Sequence, residues 1–130
     1  MTLVVVADLI GDDLDIAVAL ADGHRVRRST IVDAPGIHEQ RPGGAWEWIR
    51  RPSTAWDHGS PIIERARIDL VGGAPWRAIC GDEGDIDGPP TGLGEGPTPL
   101  VAAMRAYVAS KFGETIDLES LLVGVSRPAS

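Results

Sequence analysis

Thr98-Pro99-Leu100-Val101-Ala102-Ala103-Met104-Arg105-Ala106-Tyr107-Val108-Ala109-Ser110-Lys111-Phe112-Gly113 is the stretch on which the fold turns. Thr98 is a natural N-cap. Pro99 suits the first helical position, where its missing N–H would be unpaired anyway, and Gly113 is a C-terminal stop. Between them Leu100, Val101, Met104, Tyr107, Val108 and Phe112 recur at helical spacing, so Thr98–Phe112 is predicted as the helix that organises the core. The rest of the chain reads as one more helix and several short strands. The expected class is α+β: a small single domain over residues 1–125, a short β-sheet packed by two helices, with 126–130 as a frayed tail.

Outward from that helix, Gly11-Asp12-Asp13 supplies cap candidates and first-turn acids for a second helix that carries Leu14, Ala17, Val18 and Ala21 on one face and ends at Gly23. Thr2–Ala7 is apolar without alternation and reads as a strand buried on both faces; Arg25–Val32 reads as another. Asp33–Ser60, broken by Pro35, Pro42, Pro52 and several glycines, is expected to be a structured loop. Ile62–Leu70 and Trp76–Cys80 are expected to pair as a hairpin through Gly72-Gly73, with Pro61 at the start of its first strand and Leu3–Ala7 in the same sheet. Gly81–Gly96 holds six Gly and five acids in sixteen residues and reads as a solvated loop. In the tail, Ile116, Leu118, Leu121 and Leu122 are enough to dock.

The chain has 130 residues, one cysteine and a net charge of −7. Cys80 alone excludes an intramolecular disulfide and fits a reducing cytoplasm; inside an apolar strand it reads as inert packing. The apolar start stops at Asp8, too short for a signal peptide or membrane span. The acidic balance argues against bulk nucleic-acid binding and leaves a small anionic ligand in a local basic pocket open. Residues 24–67 are the exception, with eight Arg against five acids. Four of six aromatics are Trp, a residue suited to half-buried pocket walls and interfaces. That abundance, with the long central loop, leads to an expected homo-oligomer.

Glu83, Asp85, Asp87 and Gly88 have the spacing of a calcium loop, but the closing acid would fall on Gly94 and Pro89-Pro90 interrupt the turn. His24, His38 and His58 lack zinc-ligand spacing. No nucleophile elbow, phosphate-binding Gly-rich loop or zinc-protease motif occurs, so no catalytic residue, metal or cofactor is nominated. One constellation points to a flat, phosphate-bearing ligand. Trp56 would stack on a base, Glu64 would accept from a ribose or base edge, Arg65 would clamp phosphate, and Thr98 would place a helix N-terminus beside the anion. Arg105, one turn beyond Val101, either reaches that pocket or pairs with an acid. The alternative is structural: Trp56 on the core, Glu64 and Arg65 in an ion pair, Thr98 as a cap.

Three blocks carry a family resemblance: Gly11–Gly23 with Leu14-Asp15 and Ala17-Val18-Ala19, Ser53–Arg65 and Gly96–Gly113. In this order, over about a third of the chain, they resemble the NinX-like proteins of bacteriophages and prophages. Ile16 stands where family members commonly have an aromatic, and Val26–Arg51 and Gly81–Glu95 lie outside the three blocks. The resemblance implies a small phage accessory protein in the host cytoplasm. Because such proteins often act against host defences, the expected function is to bind and sequester a nucleotide-derived immune signal without turnover. Two alternatives are an inhibitor that binds a host or phage enzyme through Trp46, Trp48, Arg50 and Arg51, and an enzyme that cleaves the same nucleotide with Asp57 or Glu64.

Overall fold

The computed structural model describes residues 3–29, 36–40, 44–81 and 92–122. In chain order its elements are β1 (Val4–Val5), α1 (Gly11–Ala21), β2 (Arg25–Ser29), β3 (Gly36–Gln40), β4 (Trp46–Trp48), α2 (Trp56–Arg65), β5 (Ile68–Val71), β6 (Trp76–Cys80), β7 (Gly92–Gly96), α3 (Pro99–Phe112), β8 (Thr115–Ile116) and α4 (Leu118–Leu121), with a 3-10 turn over Val6–Asp8. The class is α+β. Three small antiparallel sheets, β1-β8, β2-β3-β4 and β5-β6-β7, surround the helices.

The core is built on α3. Leu100–Met104 and Ala106–Val108 are buried, with Met104 and Val108 fully so, and the predicted stripe widens to most of the helix circumference. Thr98 Oγ1 accepts from Val101 N at 3.1 Å, which is the cap its sequence position demands. α1 packs beside α3, and its Leu14–Ala19 run is buried throughout. Asp12 and Asp13 sit in its first turn; Ile10, without a side-chain bond, holds the cap position.

β7 explains how a helix and a sheet come so close. Gly92, Gly94 and Gly96 form its inward face, and a Cβ on Gly94 would run into the Ala102 carbonyl oxygen and the Ala106 amide of α3. At Gly92 the obstacles are the Ala106 carbonyl and the Ser110 amide. Ala102, Ala106 and Ser110 recur every four residues, about 6 Å along a helix, while alternate strand residues lie about 6.6 Å apart. Two small-residue rows of nearly equal spacing thus lock backbone to backbone. Arg105 fastens the same corner, donating from Nε to the Leu9 carbonyl at 2.8 Å and from NH1 to the Glu95 carbonyl at 2.7 Å.

Several expectations are corrected. The region 92–96 is a strand rather than solvated loop, because glycine there serves a close backbone approach. Asp33–Ser60 contains β3, β4 and the start of α2. Ile62 and Ile63 lie in α2, not in a strand; Ile62 and the backbone of Gly59 face inward, with Gly59 against Leu100, so tertiary packing overrides the β-branched pair and Pro61. Pro61 removes the N–H that would reach the carbonyl of exposed Asp57. The hairpin is β5-β6, closed by the 72–75 turn. Only Val4 and Val5 of the first strand pair, and with Thr115 and Ile116 instead of the hairpin; Leu3 and Val5 are exposed, not buried on both faces. Ile116 and Leu118 dock in the core, whereas Leu121 is exposed. The expected frayed tail and the acidic stretch 82–91 lie outside the described residues.

Candidate functional site

Between α1, α2, β3 and the end of α3 lies a cleft of about 500 Å³. Glu39 is among its lining residues. In the β2-β3-β4 sheet Glu39 is opposite Val26 and Glu47, and alternation turns it inward with Val26, which is fully buried. Only 2% of Glu39 is exposed. Its Oε2 lies 3.4 Å from His24 Nδ1; Oε1 makes no hydrogen bond, and Arg50 Nε is 4.0 Å away. A buried carboxylate with unspent acceptor capacity is costly unless a cation or donor compensates it.

Asp15, likewise buried, accepts at Oδ1 from the Ser53 amide at 2.9 Å. Burial pushes its carboxyl above the ordinary range, opposed by that hydrogen bond, the Ser53 hydroxyl and Arg51. Farther along the cleft, Asp22 Oδ1 receives Arg65 NH2 at 2.7 Å and the Tyr107 hydroxyl at 2.6 Å. Burial first, then the bond to Asp22, pushes the Tyr107 phenol up to about 12. Lys111 Nζ stands 5.8 Å from the Tyr107 ring. His58 Nδ1 accepts from the Arg51 amide at 3.0 Å, which leaves Nε2 as the protonated nitrogen of the neutral ring. Arg50, Arg65 and Lys111 supply cations around this space, and Glu39, Asp15 and Asp22 supply acceptors. The arrangement thus sets cations and carboxylate acceptors side by side around one space.

A family model described as Bacteriophage P22, NinX matches residues 5–111. The chain belongs to this family. The match runs through Val26–Arg51 and Gly81–Glu95 as well as the first two blocks that carry the resemblance and the third as far as Lys111, so the cleft elements lie within the family region. No protein with a curated description matches the chain.

Within this NinX fold the five residues selected from sequence do not meet in one pocket. Arg65 lines the main cleft. Trp56 and Thr98 share a second groove, of about 400 Å³, with Ile10 and Leu100. Glu64 is exposed on α2 and lines neither of these two spaces. Arg105 borders a third, where its bonds to two carbonyls brace the corner. It meets backbone oxygen rather than an acid side chain, and burial lowers the pKa of its guanidinium. The reason for the scatter is helical geometry. Trp56 and Arg65 are nine positions apart, about 13.5 Å of rise and a half-turn of azimuth on α2. Arg65 makes an ion pair, but with Asp22 and not Glu64.

The Trp46/Trp48/Arg50/Arg51 patch is likewise divided. Arg50 turns toward Glu39, and Arg51 pairs with Asp12 at 2.7 Å, while both tryptophans lie on the opposite face of their sheet. Sequence reasoning missed Asp15, Glu39, Tyr107 and Lys111 as cleft residues. Asp15 left a readable signal as the one charge inside Leu14–Ala19; Glu39 left none, because Pro35, Gly36, Pro42 and Gly43 around it mask the short strand that carries it. Among the described residues no three His, Cys, Asp or Glu side chains gather as metal ligands, and the Glu83–Gly88 spacing lies outside them. No helix among them is long and apolar enough to cross a membrane.

Proposed function

We propose that this phage protein binds a small nucleotide-derived, phosphate-bearing ligand in the Glu39 cleft and holds it without turnover, withdrawing a host immune signal. The observation that carries this reading is the pairing of a buried, half-satisfied carboxylate with Arg50, Arg65 and Lys111 around one cleft. The cations answer a phosphate, bidentately in the case of arginine, and Glu39 and Asp15 answer donors on a base or ribose. Family membership supplies the phage setting, and the host signal follows from the common role of phage accessory proteins. Trp56 and Thr98 take no part in this version of the site; Arg65 keeps the role expected of it.

The test is a titration of the whole chain against mono-, di- and cyclic nucleotides, followed by denaturation and mass spectrometry of the released ligand. At least one nucleotide is expected to bind and to be recovered intact, and Arg65→Ala is expected to weaken it tenfold or more. Asp22 is 15% exposed and keeps the Tyr107 hydroxyl when Arg65 is removed, so the melting temperature should fall by no more than about 4–8 °C, the equivalent of about 1 kcal/mol. No binding across the panel contradicts the proposal, as does recovery of a cleaved product or unchanged affinity in the variant.

A further inference from the structure

The outward face of the β2-β3-β4 sheet is built differently from its cleft side. Alternation places Arg25, Arg27, His38, Trp46 and Trp48 together on it, and no carboxylate joins them among the described residues. Trp48 lies across Gly36: a Cβ there would overlap the indole ring, so the ring rests on bare backbone. His38 packs against it with centroids 4.6 Å apart and planes tilted by 36°, and 59% of Trp48 remains exposed. Trp46, two residues along the strand, holds the Arg27 guanidinium 4.2 Å and the Arg25 guanidinium 5.9 Å from its ring centre. One aromatic surface is therefore supported from beneath and open above, and two cations are gathered about two strand residues away, roughly 6.6 Å.

We infer that this face binds single-stranded nucleic acid, with a base stacked on Trp48 and the adjoining phosphates on Arg25 and Arg27. Charge and shape decide the occupant. An acidic peptide would satisfy the arginines but leave the flat ring unused; a duplex would satisfy them with its bases already stacked and inaccessible. The net charge of −7 opposes a broad phosphate-reading surface. Stacking rather than counterion release then dominates, and two phosphate contacts give log affinity a slope of only about −1.4 against log salt. This inference is independent of the Glu39 cleft, which lies on the other side of the same sheet.

The test uses the full chain and fluorescein-labelled (dT)12 in an anisotropy titration, with a 12-base-pair duplex, polyglutamate and TMP as competitors. Expected are binding of (dT)12 with quenching of tryptophan fluorescence, a loss of about tenfold or more in Trp48→Ala, and retention of most affinity in Trp48→Phe. Circular dichroism of both variants should match the parent, since most of Trp48 is exposed. Absence of (dT)12 binding overturns the inference. So does equal affinity in Trp48→Ala, displacement by duplex or polyglutamate as effective as by unlabelled (dT)12, or TMP binding as tightly as the oligonucleotide.

Discussion

The two three-stranded sheets share a topology and differ in almost everything else. β5-β6-β7 presents glycine and small apolar residues to α3 and lets helix and strand backbones touch; β2-β3-β4 presents Val26 and a buried carboxylate inward and two tryptophans with arginines outward. The first arrangement closes the space between sheet and helix. The second leaves a cleft on one face and an open aromatic surface on the other. The contrast teaches that one motif can be spent on closure or on recognition, according to the size and polarity of the side chains at alternate positions.

The comparison breaks most severely at β7. Gly94→Val would drive a branched side chain into the α3 backbone, and a loss of more than about 4 kcal/mol, or no cooperative unfolding at all, is expected in urea titration. A loss below about 1 kcal/mol would mean that helix and strand can separate cheaply and that the glycine row is incidental.

Tyr107→Phe removes a buried hydroxyl bonded to a carboxylate and should cost about 2 kcal/mol. It also tests linkage. Because the folded phenol is raised above its ordinary value near 10, its contribution is complete below pH 10 and is lost as pH rises through about 12. The parent should therefore lose stability over that alkaline window, and Tyr107→Phe should lose less of it. Parallel curves for the two proteins would remove Tyr107 from the account of alkaline stability.

Asp15 has the same sign in the acid range. Its raised carboxyl favours the folded state while protonated, so that contribution is present below pH 3.8 and declines as pH rises through the higher folded value. Asp15→Asn keeps an acceptor for the Ser53 amide and should change stability at neutral pH by about 1 kcal/mol or less, with this part of the pH profile flattened. An unchanged profile measured by thermal denaturation would show that Asp15 titrates alike in both states.

A smaller effect concerns assembly. Ile10 and Trp56 expose 59% and 52% of their surfaces beside one groove, the apolar area on which association is proposed to rest. Light scattering should then return a mass above 13.7 kDa, lowered in Trp56→Ser; a parent mass of 13.7 kDa contradicts association.

What was legible in the sequence follows the same division. The α3 helix announced itself through cap, proline, stripe and stop, all local signals, and α1 through its acids and periodicity. β7 was illegible because glycine opposes strand formation locally, and only a helix many residues later gives it a reason. The Ser53–Arg65 segment was noticed for its chemistry but given the wrong shape. On a helix its Trp56 and Arg65 point to different parts of the molecule, and the cleft is completed instead by Glu39, Asp15 and Tyr107 from three other elements. Side chains that meet only through tertiary packing leave little local pattern to read.

The most direct measurement of the division between the sheets is native-state hydrogen exchange of the unliganded protein. Few apolar contacts hold β2-β3-β4, whereas β6, β7 and α3 share the core. The amides of Ala78, Cys80, Met104 and Val108 are expected to exchange only through global unfolding. Those of Val26 and Glu39 are expected to open locally, with a free energy at least about 2 kcal/mol lower. Equal protection in both sheets would contradict the claim that one is built for closure and the other for recognition.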